Sequence, residues 1–277
     1  MKLEMQPLFN QIDNIPQIPE IVRILLTQAN DPNIDFKSIA INVEKEQVIS
    51  VKVLRLVNSA HYGLSSKIGS IQQALVFLGV NELKKLIVVS GLVSSINDIP
   101  GINLDDFWID NFRTATYAKW LADDTKLNDS EMIFTAGLLS SLGKVLIHLD
   151  DATTARKINS DVRAGINRAD SERQHLGFTH QEVCGELCRI WQFPGELIDT
   201  VTKAGNPLCY DNISSAACAV YIARYISESS YSDKNQQTIL AEFPHKEWQQ
   251  LGLQEEDISE KIATLLALNT GLEGVLD

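Results

Sequence analysis

Ser70-Ile71-Gln72-Gln73-Ala74-Leu75-Val76-Phe77-Leu78-Gly79 reads as a helix with a marked start and a marked stop. The Ser70 hydroxyl can take the Gln73 amide while the Gln73 side chain reaches back, which is the pattern of a capping box. Ile71, Ala74, Leu75 and Leu78 then share one face, with the 3.6-residue period of an amphipathic helix. Gly79 ends it. A second box, Thr179-His180-Gln181-Glu182, opens a helix through about Trp191, closed by Phe193-Pro194.

The same arithmetic runs outward from these two starts. Glu20 to Asn30 places Ile21, Ile24, Leu25 and Gln28 on one stripe, and Asp31-Pro32 stops it, because the residue before proline is pushed out of the α region. Asp35 caps a helix through about Lys45. Another runs from about Glu46 to Ala60 with Val51, Leu54 and Val57 inward, and Gly63 supplies its left-handed stop. Asp105 begins a helix carrying Phe107, Ala115, Ala118 and Leu121. Ser130 to Ile147 is apolar almost all round, which predicts one central buried helix. Gly195–Ala204, Ile213–Ile226 and Glu255–Leu268 add three more, and Ser227–Asn235 reads as a polar loop. No strand alternation, internal repeat or low-complexity tract stands out. The expectation is an all-α, multi-helix fold of two lobes, residues 1–100 and 101–277, joined near Gly101–Leu104 after Pro100.

Composition bounds the function. The 277 residues are 44% hydrophobic and 22% charged, which is globular. The formal net charge of −12 offers no counterion release from nucleic acid and no attraction to an anionic bilayer, so neither is an expected partner. Met1–Asn14 lacks the basic and apolar regions of a signal peptide. Leu86–Ile96, the longest nearly apolar run, is too short to cross a membrane. The four cysteines form no CxxC pair. Free thiols and a cytoplasmic location are expected.

Familiar catalytic signatures are missing. There is no Walker A loop, no GxGxxG after a strand, no HExxH and no GxSxG. Gly137-Leu138-Leu139-Ser140-Ser141 lies within a helical pattern, so it makes no nucleophile elbow. No two of the five histidines stand at i,i+3 or i,i+4. His180, Cys184 and Cys188 recur every four residues and could offer zinc an imidazole and two thiolates. The plainer reading is a histidine in the first turn followed by two small buried thiols. Asp105, Asp106, Asp110, Asp123 and Asp124 could serve magnesium or acid chemistry, but carboxylates at helix starts and on solvated faces are commoner. Asn58-Ser59-Ala60-His61-Tyr62-Gly63 concentrates polar and aromatic groups. Asn58, His61 and Tyr62 are candidates for a partner surface, against the plainer reading of a helix cap.

Several stretches in order resemble one family. Ile15-Pro16-Gln17-Ile18-Pro19, Asn58–Gly63, Ser70–Gly79, Ala136-Gly137-Leu138-Leu139, Gly177-Phe178-Thr179-His180-Gln181-Glu182-Val183 and Trp191-Gln192-Phe193-Pro194 look like the HD-related output domain, or HDOD, family of bacterial signalling proteins. The resemblance covers about Ile15 to Ile226 and implies an all-helical fold related to the HD metal-dependent phosphohydrolases. In those enzymes a histidine, a His-Asp pair and a later aspartate hold metals that activate water. By the resemblance, the first histidine falls on Asp110 or Asn111 and the His-Asp pair on Ser140-Ser141. A further paired histidine falls on Lys203-Ala204 and the last aspartate near Arg224. His180 alone matches a family histidine.

The expectation is therefore a non-catalytic regulatory module with no catalytic residue, no cofactor and no resident metal. It would act through signalling proteins encoded elsewhere or a small ligand, as a stand-alone adaptor. Asp110, Ser140, Ser141 and His180 would line a remnant cleft between the lobes, with His180 and Cys184 as weak metal candidates. The rival is a divergent metal-dependent phosphohydrolase using Asp110, His180 and Cys184.

Overall fold

Sixteen α-helices and no strand are found among the described residues of the computed structural model, which are 5–10, 16–27, 35–96, 99, 101–230 and 236–276. They fall into two units. The first holds α2 (Glu20–Thr27), α3 (Phe36–Lys45), α4 (Gln47–Val57) and α5 (Ile71–Ser94), together with Trp191–Pro194 and the segment from Thr270. The second holds α1 (Gln6–Asn10), α6 (Leu104–Asp124), α7 (Ser130–Leu139), α8 (Leu142–Asp150), α9 (Ala152–Arg163), α10 (Arg168–Leu176) and α11 (His180–Ile190). It continues with α12 (Gly195–Lys203), α13 (Ser215–Ser229), α14 (Gln236–Ala241), α15 (His245–Gln250) and α16 (Ile258–Leu266). The two units thus interleave at three places that a single cut at residue 100 does not describe: the N-terminal segment with α1 belongs to the second unit, and Trp191–Pro194 and the segment from Thr270 return to the first.

In the first unit α2, α3 and α4 pack against α5. Asp35 caps α3 through the Lys37 amide, and Ser70 caps α5 through the Gln73 amide at 3.1 Å. The returning Gln73 side chain takes the Gly69 amide at 2.8 Å rather than that of Ser70. The Glu44 carboxylate accepts from the Ile71 amide at 3.1 Å, a second anion on the same helix start. Gly79 does not end the run. Its φ of 78° and ψ of 176° break it, and the helix resumes at once. Beyond the break Leu83, Leu86–Val89, Leu92 and Val93 are buried.

Some inward faces differ from the sequence reading. In α2 the buried stripe is Ile21, Val22, Leu25 and Leu26, and Gln28 and Asp31-Pro32 lie outside the described residues. In α4 it is Ile49, Val53, Leu56 and Val57, while Val51 is exposed. The valine-rich segment offers two apolar faces, and the packing of α5 selects one.

The second unit is built on α6, which packs against both α7 and α13. Asn103, not Asp105, caps α6, taking the Asp105 amide at 3.1 Å. Trp108, Phe112, Tyr117, Ala118 and Leu121 line its buried side. A Cβ on Gly137 would come within 2.8 Å of the Ala115 Cα, so α6 and α7 touch backbone to backbone. The expected single helix from Ser130 to Ile147 is two: α7 stops at Leu139, and α8 starts at Leu142 after Ser140 and Ser141. By length and composition Ser130–Asp150 could cross a membrane, but most of it is buried inside the unit. The expected polar loop from Ser227 is helical through Ser229, and residues 231–235 lie outside the described set. Phe243 and Trp248 form a further aromatic cluster with Tyr225 beside α13.

Candidate functional site

The second unit holds all of Asp110 on α6, Ser140 and Ser141 at the break between α7 and α8, and His180 and Cys184 on α11. The Thr179 box forms as the spacing predicts. The Thr179 amide donates to Glu182 Oε2 at 2.9 Å, and the Glu182 amide to Thr179 Oγ1 at 3.3 Å. That start fixes His180 at the head of α11.

His180 is almost fully buried, and both ring nitrogens are occupied. Nδ1 lies 2.8 Å from the Glu172 carboxylate, and Nε2 lies 2.7 Å from the Gln181 side-chain nitrogen. The two contacts are consistent with one another for a neutral ring: Nδ1–H donates to the carboxylate and Nε2 accepts from the amide. Burial pushes the imidazole pKa down, and the positive charges of Lys144 and Arg224 act the same way against the pull of Glu172. Burial would raise the Glu172 carboxyl, but donors from His180 and the Arg168 charge outweigh it and keep it ionised. Arg168 stands 3.6 Å from Glu172 and is itself placed by Asn159 Oδ1 at 2.7 Å.

The serines are turned to structure. Ser140 Oγ donates to the Gly137 carbonyl at 2.8 Å. Ser141 precedes α8 and makes no side-chain cap bond. Cys184 Sγ accepts from the Gly143 amide at 2.9 Å, and burial pushes its thiol up to about 12. Asp110 accepts from Ser227 Oγ at 2.6 Å, and burial raises its carboxyl.

Charged groups that the sequence reading did not single out complete the site. Lys144, on α8, has its ammonium 3.6 Å from Glu228 on α13. Burial lowers the Lys144 pKa, and Arg224 and Arg168 add to that effect against Glu228 and Asp110. Glu228 is held low by Lys144 and Arg224 in spite of its surroundings. Lys144 had one legible signal: it is a lone charge in an otherwise apolar run. Glu172 had none, since the Gly177 turn separates it from His180 and removes any helical spacing.

These residues do not fit an HD-type metal centre. Among the described residues no three His, Cys, Asp or Glu side chains group as a metal would need. The His180 lone pair is taken, Ser140 faces its own helix, the Cys184 thiol stays protonated, and two cations lie nearby.

The partner-surface candidates lie in the first unit. Asn58 is taken up internally: its side chain donates to the Leu54 and Ile68 carbonyls and accepts the Ile68 amide at 2.8 Å, bracing the turn between. Tyr62 bonds Glu82 through its hydroxyl. His61 is exposed, edge-on to Tyr62 at 4.9 Å, with Gly271 against its ring.

The helical architecture of the described residues is that of the HDOD/HD-like class of proteins. The chain belongs to the HDOD family: the HDOD domain pattern matches residues 15–207. A Shewanella amazonensis SB2B structure provisionally named a phosphohydrolase superposes with a TM-score of 0.77 at 27% identity, covering 98% of this chain and 97% of that one. A Geobacter sulfurreducens HDOD domain protein of unknown function gives 0.73 at 20% identity, covering 96% and 98%. A Marinobacter aquaeolei VT8 structure provisionally named a signal transduction protein gives 0.73 at 18%, covering 100% of this chain and 60% of that one. An uncharacterized Treponema pallidum (strain Nichols) protein is 25% identical over 262 residues, 87% of this chain and 48% of its own length. The chain thus spans about half of that relative.

Proposed function

We propose that this HDOD chain is a non-catalytic bacterial signalling or regulatory module, working in the cytoplasm by binding a partner protein or a small ligand. The observation that carries the reading is the state of His180. It is the one histidine matching the family's metal site, and Glu172 and Gln181 occupy both of its nitrogens. Ser140-Ser141 stands where the enzymes need a His-Asp pair, and neutral hydroxyls neither balance a divalent charge nor offer a nitrogen donor.

The test is metal analysis of the purified protein combined with phosphate release from a panel of nucleotides and phosphomonoesters, with added manganese, iron or zinc. The expected result is no metal-stimulated release above the protein-free mixture. Stoichiometric metal with activity abolished by His180→Ala or Asp110→Ala would overturn the reading in favour of a phosphohydrolase.

A further inference from the structure

Beyond residue 207, where the HDOD pattern ends, α13, α14 and α16 border a cavity of about 250 Å³. Its walls are aliphatic, with Ile226, Leu240, Ile262 and Ala263 among them, and its other lining residues are serines. Among the described residues no charged and no aromatic side chain lines it. Ile226 and Ser230 share one side of α13, opposite Arg224 and Glu228, so the cavity stands apart from the His180 cluster. Tyr225 donates to the Ile239 carbonyl at 2.6 Å and ties α14 to α13 beside it. Hydrocarbon walls give water too few polar partners, and unfilled they forgo dispersion contacts. Benzene fills an engineered apolar cavity of about 150 Å³, so this one has room for a chain of about eight carbons with a head group. The serines decide the head. Ser230 Oγ donates to the Ser227 carbonyl at 2.6 Å and is reached by Arg113 at 3.4 Å, and Arg113 is engaged elsewhere as well. Ser259, exposed at the rim, makes no hydrogen bond among the described residues, and its hydroxyl can both donate and accept. A charged head would lose its hydration here without a charge to replace it.

We propose that this cavity binds an uncharged, medium-chain aliphatic molecule, with its chain against Ile226, Leu240 and Ile262 and its one hydroxyl or carbonyl on Ser259. Walls of branched aliphatic residues, with no ring to stack on, suit a flexible chain better than a flat aromatic. Such a ligand touches three helices at once and so fastens α14 and α16 to α13. The inference goes beyond the regulatory reading, since it names a ligand and places it outside the family pattern.

Calorimetric titration of the full chain with 1-octanol tests it. Wild type should bind saturably. Octanoate, the same chain with a charged head, should bind about tenfold more weakly or worse. Ala263→Phe should abolish binding by filling the cavity, and because position 263 is exposed the ring leaves the core untouched. Ser259→Ala should weaken binding about two- to tenfold, the loss of one neutral hydrogen bond. Phe77→Ser, at the exposed apolar side of α5, should change nothing. Thermal melts report folding for every variant, and the exposed Ser259→Ala change keeps the proposal falsifiable even if Ala263→Phe fails to fold. No saturable binding by wild type, unchanged binding by Ala263→Phe or Ser259→Ala, lost binding in Phe77→Ser, or octanoate binding as tightly as 1-octanol would overturn the proposal. Those failures leave the regulatory reading standing, which falls only to metal-dependent turnover.

Discussion

Glu172 holds His180 twice, taking its backbone amide at 2.9 Å and its ring Nδ1–H at 2.8 Å. One carboxylate therefore both satisfies an orphan donor at the head of α11 and fixes the tautomer of the ring. Arg168 stands behind it. The arrangement makes His180 a buried structural histidine.

Glu172→Gln should destabilise the protein by about 1.5–3 kcal/mol, the usual cost of losing a hydrogen bond to a charged group in the interior. A urea midpoint unchanged from wild type would show that the pair contributes nothing to stability.

Acid should weaken the fold before the carboxylates titrate. Burial lowers the pKa of both His180 and His148 from 6.5. The unfolded chain then binds protons that the folded chain refuses, so stability present above about pH 6.5 falls as the pH drops below it towards the folded values. Denaturant midpoints at pH 7 and pH 5 measure the loss. It should be smaller in His148→Gln, and an equal loss would assign the effect elsewhere.

Three of the four thiols should be inert. Cys184, Cys188 and Cys218 are buried, which pushes each thiol pKa up, whereas Cys209 is exposed. A colorimetric thiol reagent should titrate one group in native protein and four in denaturant. Rapid reaction of a second thiol would reveal local opening of the second unit.

The Thr179 cap should be worth about 0.5–2 kcal/mol, lost in Thr179→Ala and largely kept in Thr179→Ser. Gly143→Ala should cost more, about 1–3 kcal/mol or outright failure to fold, because its Cβ would overlap the His180 carbonyl. Thermal melts of the three variants give the ranking, and a harmless Gly143→Ala would mean that α8 and α11 separate easily.

Local chemistry made much of this fold readable. Ser70 and Thr179 mark helix starts with side chains that meet backbone atoms three residues on, so sequence spacing and spatial distance coincide. The break at Ser140-Ser141 is not readable, because apolar residues flank it on both sides and the period never lapses. Nor is the choice of face in α4, which depends on where α5 lies. The Glu172–His180 and Lys144–Glu228 pairs join different helices, and nothing in the spacing of either announces them.

Lys52 donates to the carbonyl of Val275, a contact 223 residues apart in the chain, and Leu272 and Val275 are buried in the same unit. During synthesis the first unit must therefore wait, incomplete, while nearly the whole of the second emerges. Closing so long a loop carries an entropic delay that its local helices do not. The earliest helices to be made belong to a unit among the last to finish, which makes its half-covered apolar surface a client for chaperones in the interval.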